Sequence, residues 1–365
     1  MKLWHVAVFQ ALASLPMAAS AANVGEGKAA TLPIPKPTSS TGLIPLTDMG
    51  QVKYKGEDGG LYGGGSNEPT KTQQEAAQKA LAQIQPLDAQ GRPAKDGKIV
   101  LISSGMSNTT MEFSLFKEMA DKDTEKNPNL VIVDGAQGAQ DALVWADTEN
   151  QLKSPSRKTK APVRDVWAVL DQRLQEAGVS GPQVQVCWLK NARGEPANLG
   201  EFPAHARELQ ANERRIVNRL KDRYPNLRIV FISSRTYAGY ATVPTNPEPY
   251  SYEGAFAVRW LIQDQIASKP ELNCDPACGP VKAPVLLWGP YLWTDGMKGR
   301  KDGLVWQLED TIYKKMDFPM PKRTLTMAKD GTHPSPAGAR KVDDLLMKFF
   351  KTDPYAKPWF VRAAQ

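Results

Sequence analysis

The sequence predicts an α/β fold: a three-layer α/β/α sandwich around a central, parallel, five-stranded sheet. Three observations carry this. Short apolar runs rich in Val, Ile and Leu recur along the chain, too short for helices and without the in/out alternation of a half-exposed strand. Between them lie longer stretches with apolar residues at helical spacing. The two kinds alternate, and alternation requires crossovers that cover both faces of a parallel sheet.

Taken in order, residues 1–21 open with Met1-Lys2, pass through an apolar run at 6–15 and end in Ala19-Ser20-Ala21. A basic start, a short apolar run and a small-residue cleavage site read as a secretory signal peptide, which gives a secreted or periplasmic location. The rival reading is a buried helix of a cytosolic protein. Residues 22–95 are expected to be an N-terminal arm and a lead-in helix. The part at 23–45, rich in Pro, Ser, Thr and Gly, reads as a tether. Glycines at 59, 60 and 63–65 have neither the GK[ST] nor the preceding strand of a phosphate loop, and read as turns. The helix is placed at 68–84, with Pro69 at its start and Ala76, Ala77, Ala80, Leu81 and Ile84 on one face.

The main domain is expected at 96–352, followed by a tail at 353–365. Its strands are read at 99–103, 130–133, 184–189, 227–233 and 285–288. Helices are read at 138–147, 163–177, 202–223, 252–268 and 336–350, with one more opening at Met111 behind an Asn108-Thr109-Thr110 cap. Residues 157–161 and 237–250 read as surface loops; the second, with Pro244, Pro247 and Pro249, is long enough to shape a binding face.

Composition narrows the function. The net charge of +7 is spread over the chain, with no basic tract interleaved with aromatics, which disfavours nucleic acid as a partner. No stretch provides the roughly 20 apolar residues of a transmembrane segment. Cys274 and Cys278 flank Asp275-Pro276-Ala277 and are candidates for a small disulfide, a better reading than a zinc site, which would need two further ligands. Cys187 sits in an apolar run and reads as a core thiol.

Chemistry concentrates in two stretches. In the first, Ser107 sits between a buried strand and a helix N-terminus, at the carboxyl edge of the sheet where α/β folds bind ligands. A serine hydroxyl needs an imidazole to take its proton, and the imidazole needs an acceptor to hold its tautomer. Near the other end, Asp330-Gly331-Thr332-His333-Pro334-Ser335 offers both from one segment ahead of the last helix. Of the histidines beyond the leader, His205 opens a charged helix and reads as solvated, which leaves His333 as the general base.

GMSNT after a buried strand, with DGTHPSPAGARKV before a C-terminal helix, resembles the SGNH (GDSL-like) hydrolases over roughly residues 98–350. The resemblance implies a flavodoxin-like sheet, a Ser107–His333–Asp330 triad, and an oxyanion hole formed by the Ser107 amide, the Gly138 amide and the Asn191 side chain. Gly138 is preferred to Gly135 because it is read at the start of the following helix. Departures from the family pattern are Met106 in place of the GDS aspartate, Leu189 in place of a glycine, and Ala192 in place of a frequent aspartate. The resemblance also implies an ester substrate and neither metal nor organic cofactor. Trp188, Trp288, Tyr291 and Trp293 fall near the same edge, where they would stack on sugar faces or line an acyl slot, or else simply pack. Secretion, these aromatics and the polysaccharide acetylesterases in the family favour a carbohydrate O-acetylesterase, with acetylated polysaccharide as the partner this reading implies. A lipase, a thioesterase or a catalytically weak extracellular binding protein are the alternatives.

Overall fold

Five strands set the frame: β1 (Ile99–Gly105), β2 (Leu130–Val133), β3 (Val184–Lys190), β4 (Ile229–Ile232) and β5 (Val285–Trp288). They form one parallel sheet in the order β2-β1-β3-β4-β5, the flavodoxin-like order. β1, β3 and β4 are buried along their whole length, as their continuous apolar runs require. The computed structural model describes residues 36–153, 163–312, 316–320, 323–327 and 330–362, with backbone only at 316–320 and 323–327. The expected signal peptide, residues 22–35 and the loop at 157–161 lie outside the described residues.

Helices flank the sheet in two groups, giving the three-layer sandwich. In one, α3 (Ser107–Lys122) packs with α9 (Pro336–Thr352), and α9 with α10 (Lys357–Phe360). In the other, α4 (Ala142–Ala146) packs with α6 (Val166–Glu176) and α7 (Ala204–Arg223), and α7 with α8 (Tyr250–Ile266). Aromatics join layers: Phe113 of α3 stacks on Trp188 of β3, and Phe231 of β4 meets Phe349 and Phe350 of α9. Smaller elements are α1 (Leu46–Met49), α2 (Lys71–Leu81), α5 (Thr148–Lys153) and an antiparallel hairpin of β6 (Met316–Met320) and β7 (Arg323–Met327). The lead-in helix α2 starts at a Thr70 cap whose side chain accepts from Gln73 N. Among the described residues no helix is long and apolar enough to cross a membrane.

Several expectations need correction. The arm is docked from residue 38: Ser40 Oγ, Thr41 N, Thr41 Oγ1 and Gly42 N all donate to the buried Asp295 carboxylate, at 2.6–2.9 Å. A composition typical of a tether yields to one buried acceptor that the arm satisfies. The tail also packs, with Trp359 and Phe360 of α10 buried against Phe350. The 237–250 loop begins inside the protein: Tyr237, Ala238, Tyr240 and Ala241 are buried. His205 is buried too, its Nε2 2.7 Å from Glu253 Oε2, because the inner face of α7 turns it toward α8. Cys274 and Cys278 are free thiols, one half-buried and the other exposed, on either side of a tight turn that Asp275 caps by accepting from Ala277 N. Cys187 is buried in β3, where burial pushes its thiol up.

Candidate active site

The order of strands changes direction between β1 and β3, and the crevice beyond their carboxyl ends is where ligands bind in such sheets. Gly105 of β1 pairs with Lys190 of β3, so Ser107 and Asn191 follow directly from neighbouring strand ends. Ser107 is the first residue of α3, and its N–H therefore has no intrahelical acceptor. This corrects the expected start at Met111. Asn108, Thr109 and Thr110 lie within the first turn and bond outward: Asn108 Nδ2 to Thr332 O (2.9 Å), Thr109 Oγ1 to Lys190 O (2.6 Å) and Thr110 Oγ1 to the Asp134 carboxylate. They tie the helix start to three neighbouring segments rather than capping it. Met106 is buried just before the helix.

His333 reaches this helix start from the far end of the chain. Ser107 Oγ lies 2.7 Å from His333 Nε2, and His333 Nδ1 lies 2.5 Å from Asp330 Oδ2. An ionised carboxylate only accepts, so Nδ1 carries the proton and Nε2 is left to accept from the serine. Asp330 Oδ1 accepts from the amides of Thr332 (2.8 Å) and His333 (3.0 Å), which fixes the turn. Burial alone would raise Asp330, but the His333 ring and these amides outweigh it and hold the carboxyl below its ordinary range.

Of the three groups expected at an oxyanion, two lie at Ser107. Its own amide is one. Gly138 is the second: a methyl built on it would lie 4.0 Å from Ser107 Cβ. It sits in a turn whose bonds run from Gln137 N to Gly105 O and from Gln140 N to Gln137 O. The helix behind it begins only at Ala142, capped by Asp141, so Gly138 is not at a helix start as expected. Gly135 donates instead to Ser103 Oγ (3.0 Å) and lies against Leu170. The third group, Asn191, is buried; its Oδ1 accepts from Ala192 N (2.9 Å), and its Nδ2 has no partner among the described residues. Leu189 stays in β3 paired with Ser104, so the strand holds its course with leucine at this position.

The four aromatics do not line this edge. Trp188, Trp288, Tyr291 and Trp293 are all buried. Trp188 Nε1 donates to Ser233 Oγ, Trp288 Nε1 to Leu61 O and Trp293 Nε1 to Glu248 Oε1, and the Tyr291 hydroxyl accepts from Leu46 N. A sheet covered on both faces needs large apolar side chains inside, and the arm covers what the β5 edge leaves open.

Sequence reading missed the polar groups behind the site. Asp134 accepts from Ser103 Oγ (2.6 Å), Thr110 Oγ1 and Ser114 Oγ (2.9 Å), so one half-buried carboxylate ties β1 and α3 to the Gly138 loop. Burial pushes that carboxyl up. Lys190 Nζ donates to Glu112, 2.5 Å to Oε1, in a fully buried pair. Burial works against both charges, raising Glu112 and lowering Lys190, while their contact opposes it. Arg235 is buried nearby. The signal was present as polar residues at the ends of apolar runs, at Ser103-Ser104, Asp134, Lys190 and Ser233-Ser234-Arg235.

The class these features define is a doubly wound α/β protein with a serine–imidazole–carboxylate relay at its switch point. Compared with protein-family models and with curated proteins, the chain matches none.

Proposed function

We propose that the protein is a serine ester hydrolase of the SGNH (GDSL-like) kind, with Ser107, His333 and Asp330 as its triad. The observation that carries this is the 2.7 Å approach of His333 Nε2 to Ser107 Oγ, from a residue 226 positions away along the chain. Ser107 Oγ attacks the ester carbonyl as His333 Nε2 takes the hydroxyl proton, and Asp330 stabilises the imidazolium that forms. The Ser107 and Gly138 amides and Asn191 Nδ2 donate to the developing oxyanion. The C–O bond to the alcohol breaks, and the imidazolium gives that oxygen its proton. Water, deprotonated by His333, then cleaves the acyl-serine and releases the acid.

For the substrate we infer O-acetyl groups on a carbohydrate, on the family likeness and the leader-like residues 1–21. With the four aromatics buried, sugar contacts fall to other side chains. The test is release of p-nitrophenol from esters of graded chain length, beside acetate release from acetylated polysaccharides. S107A and H333A are expected to lose about 10⁴- to 10⁶-fold in kcat. A long-chain optimum overturns the acetylesterase reading in favour of a lipase, and no hydrolysis of any ester by wild type leaves a binding protein.

A further inference from the structure

The turn that carries His333 is anchored to two segments that hold no part of the relay. Ile312 N donates to His333 O (2.8 Å), Asp330 N and Gly331 N donate to Ile312 O (3.1 and 3.0 Å), and Thr242 N donates to Asp330 O (2.8 Å). None of these bonds sets the distance from the turn to the nucleophile. Toward α3, besides the Ser107–His333 contact itself, Asn108 Nδ2 donates to Thr332 O (2.9 Å). Each residue of this second link is the chain neighbour of a residue of the first. Two adjacent rungs, 107 to 333 and 108 to 332, thus cross sequence separations of 226 and 224.

Asn108 is 2% exposed and Thr332 3%. A carbonyl only accepts, so the amide nitrogen of Asn108 faces Thr332. Its Oδ1 has no partner among the described residues. An asparagine near a helix start commonly spends its oxygen on a free backbone N–H of that helix. Here the donor is used and the acceptor is idle. A buried idle acceptor costs stability, and a leucine of similar shape would avoid that cost while losing the donor.

The link continues beyond Thr332. Its carbonyl and the amide of His333 belong to one peptide group, and that amide donates to Asp330 Oδ1 (3.0 Å). Donation into the carbonyl polarises the peptide and strengthens its N–H as a donor. Asn108 holds one end of a peptide whose other end is held by the carboxylate of the relay.

We propose that Asn108 is a positioning residue: through the Thr332–His333 peptide it sets the His333 ring at bonding distance from Ser107 Oγ, without touching substrate. This rests on the triad reading above.

The test is a double-mutant cycle of N108L and H333A, read by mass spectrometry as the rate at which a fluorophosphonate labels Ser107, followed over days so that the slow H333A background is still measured. N108L alone is expected to slow labelling about 10- to 100-fold. In the H333A background no ring is left to place, and N108L should have no further effect. Damage to the helix start alone would slow both backgrounds by the same factor. On a short-chain ester N108L should lower kcat with little change in KM. Unchanged labelling in N108L, or an equal loss in both backgrounds, overturns the proposal. Failure of the esterase reading looks different: wild type itself is then not labelled at Ser107, and the proposal falls with it. If N108L does not fold, N108A removes the same donor and runs the same cycle.

Discussion

Asp330 holds the His333 ring through Oδ2 and the turn backbone through Oδ1. Replacing it by Asn keeps the shape but can turn a donor toward Nδ1, which favours the wrong tautomer. D330N is expected to lower kcat by about 10⁴-fold, measured on a short-chain ester. Asn191, whose Nδ2 has no partner among the described residues and whose Oδ1 is engaged, should behave as one oxyanion donor. N191A is expected to lose about 10²- to 10³-fold in kcat with little change in KM. A third residue bears on stability alone. Glu213 on α7 is buried, neither carboxylate oxygen has a partner among the described residues, and burial pushes its carboxyl well up. A value raised in the folded state means that stability is complete below the unfolded value and falls as pH rises above it. E213Q should therefore unfold at a higher temperature than wild type, by a margin that widens from pH 5 to pH 8 in thermal melts.

Between residues and fold stands the set of loops behind Ser107. The Asp134 carboxylate fixes α3 against the 134–138 loop that carries Gly138. D134N leaves the triad untouched but turns an amide toward three hydroxyls. Its kcat is expected to fall about 10- to 100-fold while fluorophosphonate still labels Ser107. The elements of the sheet were legible: β2 and β5 appear at the expected residues, and β1, β3 and β4 differ by a residue or two at their ends, while the β6–β7 hairpin was not expected. Apolar runs and helical spacing are local signals. Ser107, Asp330 and His333 were legible because the serine follows a strand and the other two share one short segment. What the sequence left hidden depends on contacts between distant segments. His205 reads as solvated in its charged helix until Glu253 of α8 is set against it. The aromatics after β5 look like rim residues until the arm is laid over them. Arg235 was missed for the same reason.

Across the whole molecule, the docked arm works as a strap over the β5 side. Asp295 takes four bonds from residues 40–42, and Tyr237 and Gly239 bond Thr38. D295A removes the acceptor these groups share. The arm is then expected to become open to proteases near residue 40, with Tm lower by a few degrees, as limited proteolysis and thermal melts would show. The catalytic pair spans the chain in another way. The hydroxyl is made early and the imidazole 226 residues later. A chain still being synthesised, or cut short before residue 333, already carries its nucleophile but has nothing to deprotonate it. If the proposed esterase reading holds, unfinished copies are expected to be inert toward esters until the segment that carries His333 is seated.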